Sequence, residues 1–145
     1  MDSAATALVD TRDVGDATVS VVSEGTLTWA PEVLAPEAEW RRAMPEANAV
    51  GELALGLNVA LIRLGSATVV VDPGYDDPSA GHMPRVARSA GLQAGLDALG
   101  LRPGDVTHVL ITHAHGDHFG GVTVERVGAR EPRFPNARYL MGRAD

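Results

Sequence analysis

Three imidazoles and one carboxylate stand within six residues in the run His113-Ala114-His115-Gly116-Asp117-His118. Any fold of this chain must bring them to a place where ligand chemistry is useful. Neutral imidazole nitrogens and carboxylate oxygens are preferred ligands of zinc and other borderline divalent metals. The spacing suits that work. In an extended segment, residues two apart point the same way, so His113 and His115 can grip one ion together. Gly116 permits a sharp turn. Asp117 and His118 then project from a redirected backbone and can serve a second ion nearby. The chain has five histidines in 145 residues, so three of them in this pattern are hard to ascribe to a chance cluster on a polar loop.

Composition narrows the setting. At 145 residues the chain is one domain by length and can bury a core. A hydrophobic content of 45% and a charged content of 21% fit a soluble globular protein. The net charge of −7 argues against a nucleic-acid partner, which favours a basic face. There is no cysteine, so neither a disulfide framework nor a thiolate ligand is available. All twelve basic residues are arginine, which with the abundance of Ala, Gly and Val points to a GC-rich bacterial genome. The first residues carry acids rather than a basic run followed by an apolar one, and no window approaches the length of a transmembrane helix. A cytoplasmic location without membrane contact is the expectation.

Along the chain, residues 1–16 read as a flexible, acidic lead-in, and Ala17 to Ser23 as a β-branched strand. Trp29 to Pro36 is expected as a loop, either a lid over a site or a plain surface connection. Pro36 can open a short helix through Glu37 to Ala43. Leu57 to Leu64 and Ala67 to Val71 form two strands joined around Gly65-Ser66, a hairpin signal. The continuous apolar Val69-Val70-Val71 suits a strand covered on both faces. Arg85 to Leu99 reads as a helix with Leu92, Leu96 and Leu99 on one stripe. Gly91 and Gly95 weaken that helix by about 1 kcal/mol each relative to alanine, and permit close packing against a sheet. Gly100 stands where a helix stop belongs. Val106 to Thr112 is a strand that delivers His113 at its end, and Arg138 to Met141 one more short strand. Asp72 also ends a strand, so it and the histidine cluster can meet outside the carboxyl ends of the sheet, where α/β proteins place their sites.

With its His-x-His-x-Asp-His motif the chain resembles the metallo-β-lactamase-fold hydrolases. The resemblance runs from about Leu53 to the C-terminus. It passes in the family's order through Val71-Asp72-Pro73-Gly74, the helix, the Asp105 to Thr112 strand, the motif and Phe119-Gly120-Gly121. Leu99-Gly100-Leu101-Arg102-Pro103 and Phe134-Pro135-Asn136-Ala137 are similar to the branch that holds acyl-homoserine lactonases and methyl-parathion-hydrolase-like enzymes. The resemblance implies an α/β fold, layered in the α+β manner, with residues 17–145 forming the N-terminal half of an αβ/βα sandwich. It implies that His113 and His115 hold one metal ion and Asp117 and His118 another. Asp72 would steer ligand imidazoles by hydrogen bonds, and Thr112 would support the site. The implied cofactor is a pair of Zn2+ ions, with Mn or Fe as other divalent choices. The implied reaction is hydrolysis of lactone, ester or phosphotriester substrates by a hydroxide bridging the metals, with Asp117 as the catalytic residue that passes a proton to the leaving group. The implied partner is a small-molecule substrate, and a homodimer is one possible assembly.

The family supplies further ligands from the second half of its fold: another histidine, a bridging aspartate and a last histidine. No histidine follows His118 here, and the later acids Glu125, Glu131 and Asp145 lie in no recognisable ligand context. The chain is therefore expected to be an N-terminal portion with an inner sheet face lacking its partner layer, and to show little or no hydrolysis alone. Two other readings stay open. One is a β-lactamase or thioester hydrolase of the same fold. The other is a truncated, non-catalytic half-domain that needs a partner chain. His82, in a Gly- and Pro-containing loop, is expected to be a surface residue. His108 alternates to the strand face opposite His113 and is expected to be structural. Trp29 and Trp40 are expected to serve core or interface packing rather than a substrate pocket.

Overall fold

The computed structural model describes residues 9–30, 36–47, 49–75, 86–88 and 91–143. His82 lies outside them, as does most of the segment between Trp29 and Pro36. Strand β1 (Val9–Val14) turns through Gly15-Asp16 into the long β2 (Ala17–Trp29). The short helix α1 (Glu37–Ala43) follows, with Pro36 at its N-terminal boundary as expected. Then come β3 (Leu53–Leu64), β4 (Ala67–Val71), β5 (Val86–Arg88) and helix α2 (Gly91–Ala98). Strand β6 (His108–Ile111), helix α3 (Gly116–Phe119), strands β7 (Thr123–Arg126) and β8 (Ala129–Pro132), and β9 (Arg138–Met141) complete the order. Among the described residues no helix is long and apolar enough to cross a membrane.

Seven strands form one mixed sheet in the order β1-β2-β3-β4-β6-β9, with β5 on the far half of β2. Strands β1 to β4 run as an antiparallel meander. The β3–β4 hairpin turns at Gly65-Ser66, with Leu64 paired to Ala67 and Gly65 at φ 56. A II′ turn asks for that conformation at its first central residue. After α2 the chain re-enters parallel to β4 as β6, and β9 adds parallel to β6. The α/β expectation and its strand–helix–strand core are therefore met. Strands β7 and β8 pair with each other as a separate hairpin through Val127-Gly128, both at positive φ.

Several expectations need correction. Residues 9–14 are not lead-in but an edge strand, and hydrogen bonds between the Thr11 and Ser20 hydroxyls and from Thr18 to Asp13 tie it to β2. Its side chains are almost all exposed, so no apolar alternation marks it. β2 continues past Ser23 to Trp29. The helix starts at Gly91 rather than Arg85, because Val86–Arg88 instead pairs with Gly25, Thr26 and Leu27. Tertiary demand for partners on a long strand outweighs local propensity there.

The core lies on one face of the sheet. Val22, Val59, Leu61, Val70 and Val109 are buried there against Leu92 and Leu96 of α2, with Val106 and Phe134. Leu99 packs on the same cluster. Gly95 lets the helix approach, since a Cβ there would strike the Val22 methyls. The helix closes at Gly100 (φ 68), where Leu101 N–H reaches Leu96 O and Gly100 N–H reaches Asp97 O, a Schellman pattern. The opposite face lacks such cover among the described residues. Val69 and Val71 are only half-buried, and Val21, Leu110 and Leu140 are exposed. The apolar triplet Val69–Val71 thus has one covered face rather than two. His108 lies on this open face, its Nδ1 2.9 Å from the Thr107 hydroxyl, and takes no part in the histidine cluster. Trp40 is buried in α1 with the Arg41 guanidinium 5.1 Å above its ring, which is packing rather than a pocket wall.

Candidate metal centre

β4 and β6 are parallel neighbours, so their carboxyl ends lie side by side. Asp72 follows β4 and Thr112 follows β6, and the two meet. The Thr112 backbone N–H donates to Asp72 Oδ1 at 2.8 Å, and the Thr112 hydroxyl donates to Asp72 Oδ2 at 2.7 Å. Asp72 takes φ 49, an uncommon conformation for a residue with a side chain but one that aspartate tolerates. Burial pushes its carboxyl pKa up. The Thr112 backbone N–H, the His118 ring, the Thr112 hydroxyl and the charge on His118 together outweigh that effect, and the group is held below its ordinary value.

The motif follows β6 directly. His113 and His115 precede α3, His115 sits at its N-terminal boundary with extended backbone, and Asp117 and His118 lie within its single turn. His113 Nε2 stands 3.1 Å from His115 Nδ1. Two donors about 2.0–2.1 Å from one tetrahedral ion stand about 3.3–3.4 Å apart, so this pair is close to ligand spacing. His118 Nε2 stands 3.6 Å from Asp117 Oδ2, a second pair of ligand-type atoms. The His113 and His118 ring centroids are 4.0 Å apart, so the two pairs are neighbours.

Hydrogen bonds orient two of the three rings, those of His113 and His118. His118 Nδ1 is 2.9 Å from Asp72 Oδ2, and an ionised carboxylate can only accept, so Nδ1 carries a proton and, in the neutral ring, Nε2 keeps its lone pair. The Thr112 hydroxyl spends its hydrogen on Asp72, so at 3.0 Å from His113 Nδ1 it accepts, and His113 Nε2 likewise keeps a lone pair. Metal-binding imidazoles are commonly oriented this way, with a carboxylate behind the ring. The donor chemistry fits a borderline divalent ion. Among the described residues the ligand-type side chains come in pairs, and no group of three or more surrounds one ion position.

All six residues singled out from the sequence, His113, His115, Asp117, His118, Asp72 and Thr112, are brought together. Three that touch the site's backbone were not foreseen. The Tyr75 hydroxyl lies 3.6 Å from where a Cβ on Gly116 would stand. Buried Glu24 accepts the Tyr75 N–H at 2.8 Å, and buried Arg133 donates through Nε to Gly121 O at 2.8 Å. Glu24-Gly25 inside an apolar strand is a bulge signal that was there to be read.

Comparison with known proteins agrees with this geometry. Residues 54–125 match the model of the metallo-beta-lactamase superfamily. A probable metallo-hydrolase of Mycobacterium tuberculosis is 33% identical over 128 residues, which covers 77% of this chain and 41% of the relative. A probable metallo-hydrolase of Mycobacterium bovis matches to the same extent. Among solved structures, the hydrolase AbOPH of the beta lactamase superfamily superposes with a TM-score of 0.72 at 22% identity, covering 90% of this chain and 43% of that one. AidC, a dizinc quorum-quenching lactonase, gives 0.70 at 21% identity over 92% of this chain and 44% of its own. A probable metal-dependent hydrolase from Staphylococcus aureus gives 0.72 at 23% identity over 88% and 47%. At such identities these structures show a shared fold. The chain spans less than half the length of each of these relatives. By its matched family model and its relatives, and in keeping with its fold, the chain belongs to the metallo-beta-lactamase superfamily.

Proposed function

We propose that this chain supplies the N-terminal ligand set of a dinuclear, zinc-dependent hydrolase acting on lactone, ester or phosphotriester bonds of small molecules. The observation that carries the reading is the pairing of donor atoms: His113 Nε2 with His115 Nδ1 at 3.1 Å, and His118 Nε2 with Asp117 Oδ2 at 3.6 Å. The dizinc lactonase among the structural neighbours supports the choice of metal and of substrate class.

In this reading His113 and His115 hold one ion, and Asp117 and His118 the other. A bound divalent metal supplies a water acidified to near neutrality and a Lewis acid for the substrate oxygen. Asp72 keeps the proton of His118 on Nδ1, away from the ion. Thr112 links Asp72 to His113 and does the same for the second ring. Asp117 turns Oδ2 towards His118, and its carboxylate would take the proton released by the attacking water and pass it to the leaving group. The open side of the motif, where His115 is exposed, is where substrate approaches.

Zinc titration of the purified chain tests this. A ligand that binds only the folded state raises its melting temperature. Zinc is expected to raise that of the wild type, and His115→Ala and His118→Ala are each expected to weaken the response at least tenfold in zinc concentration. A wild-type melting temperature that ignores zinc contradicts the reading. Hydrolysis is read in parallel with a lactone and a phosphotriester. Little or no turnover accompanies metal binding if the chain is a ligand-bearing half. Robust turnover, abolished by chelator and by His115→Ala, would show that it is catalytically complete.

A further inference from the structure

Two buried charges stand behind the centre, outside its ligand set. Glu24 is 2% exposed and Arg133 is 6% exposed. Acids and arginines are rarely buried unless paired or given a specific task. Both end on one stretch of backbone. Glu24 Oε2 accepts the N–H of Tyr75 at 2.8 Å. The carbonyl of that same peptide, Gly74 O, accepts the N–H of Gly121 at 2.7 Å. The Gly121 carbonyl in turn accepts the Arg133 Nε–H at 2.8 Å. Every donation in this chain points towards Glu24. The Glu24 carboxyl holds the accepting end and the Arg133 guanidinium the donating end, so the two side chains fix the geometry of the backbone between them.

The chain crosses between the two segments that carry the centre. Gly74 lies two residues after Asp72, and Gly121 three residues after His118. Their junction joins the segment of Asp72 to that of His118, whose side chains meet at 2.9 Å. Glycine is required on both sides. A Cβ on Gly74 would strike the Glu24 carboxylate, and one on Gly121 would strike the Pro73 carbonyl. β2 is also shaped for the purpose. Its register shifts between Ser23 and Gly25, which leaves Glu24 as the extra residue of a bulge. Bulges re-aim a side chain beside functional sites.

We propose that Glu24 and Arg133 are positioning residues for the metal centre. Together they brace Gly74, Tyr75 and Gly121 so that Asp72 holds the His118 proton on Nδ1 and leaves Nε2 for the ion. The proposal rests on the reading of His118 as a ligand given above.

The test reads the His118 ring directly, without metal, by long-range 1H–15N correlation at about pH 8.5, where imidazole is ordinarily neutral. Wild-type His118 is expected in one dominant form with the proton on Nδ1. Glu24→Gln keeps an oxygen within reach of the Tyr75 N–H, whereas Glu24→Asp keeps the charge but is one methylene short. The brace predicts that Glu24→Gln retains the wild-type ring signature and zinc affinity within about threefold. It predicts that Glu24→Asp and Arg133→Met give mixed tautomers and a loss of zinc affinity of about tenfold or more, as for other groups that orient a ligand. A merely structural role would lower the melting temperature of these variants and leave the ring signature alone. Equal responses from Glu24→Gln and Glu24→Asp would overturn the proposal, as would a wild-type His118 with no dominant Nδ1–H form. A chain that shows the predicted ring differences yet binds no zinc would count against the proposed function and leave the brace supported.

Discussion

Val70 and Val109 lie in the middle of two neighbouring strands and are fully buried. Asp72 and Thr112 lie two and three residues further along the same chain segments and are joined by two hydrogen bonds. Over that distance the governing force changes. The strand centres are held by apolar burial under α2. The strand ends are held by directional polar contacts that set ring orientation and proton position. Stability and chemistry are thus carried by adjacent residues but separable ones, and substitutions should divide them.

The largest stability effect is expected at the centre. Leu96→Ala removes a fully buried side chain from the α2 face and should cost about 2–5 kcal/mol, read by denaturant unfolding. Zinc affinity of the protein that remains folded should not change. A loss of affinity there would mean that the two regions are not separable.

Asp72→Asn attacks the other end. An amide cannot serve His118 and Thr112 as the carboxylate does, and zinc affinity should fall about 10–100-fold. Its stability loss should be smaller than that of Leu96→Ala. Asparagine also tolerates the left-handed backbone at this position, so the fold has no separate reason to fail.

How much of this was legible beforehand follows from the same division. The motif was legible because few residue types bind metals and their spacing is short. Asp72 was legible because it ends an apolar strand. The β3–β4 hairpin and the Leu92-Leu96 stripe were legible from periodicity. β1 and the β7–β8 hairpin were not, because exposed strands carry no apolar alternation. Val86–Arg88 carries no local strand signal, because its partner, Gly25 to Leu27, lies far away in the chain. Glu24 and Arg133 were missed for a related reason. Glu24 meets Tyr75 across 51 positions, and its role exists only once the bulge and the glycine junction have formed.

Thr112→Val sharpens the comparison with a smaller change. It keeps shape but deletes the hydroxyl between Asp72 and His113. Of the two bonds lost, only the neutral one to His113 acts directly on a proposed ligand, so zinc affinity should fall about two- to tenfold. The Thr112 backbone N–H still holds Asp72 Oδ1, which is why the effect stays below that of Asp72→Asn.

The smallest effect is one of pH. The folded-state pKa of Asp72 lies below its ordinary value of 3.8, so the unfolded chain takes up the proton more readily as pH falls. Its stabilising contribution is complete above the ordinary value and is lost as pH drops through the folded one. The melting-temperature advantage of the wild type over Asp72→Asn should accordingly shrink below about pH 4. An advantage that grows under acid would have the wrong sign for this account.

The central claim is that His113, His115, Asp117 and His118 act together as metal ligands at the strand ends. The most direct test is titration of the metal-free chain with Co2+, followed through the 15N resonances of all five histidines. Selective broadening and shift of His113, His115 and His118 at the lowest metal ratios, with His108 unaffected, is the predicted result. Equal broadening of His108 and the three, or none in the three, would contradict it.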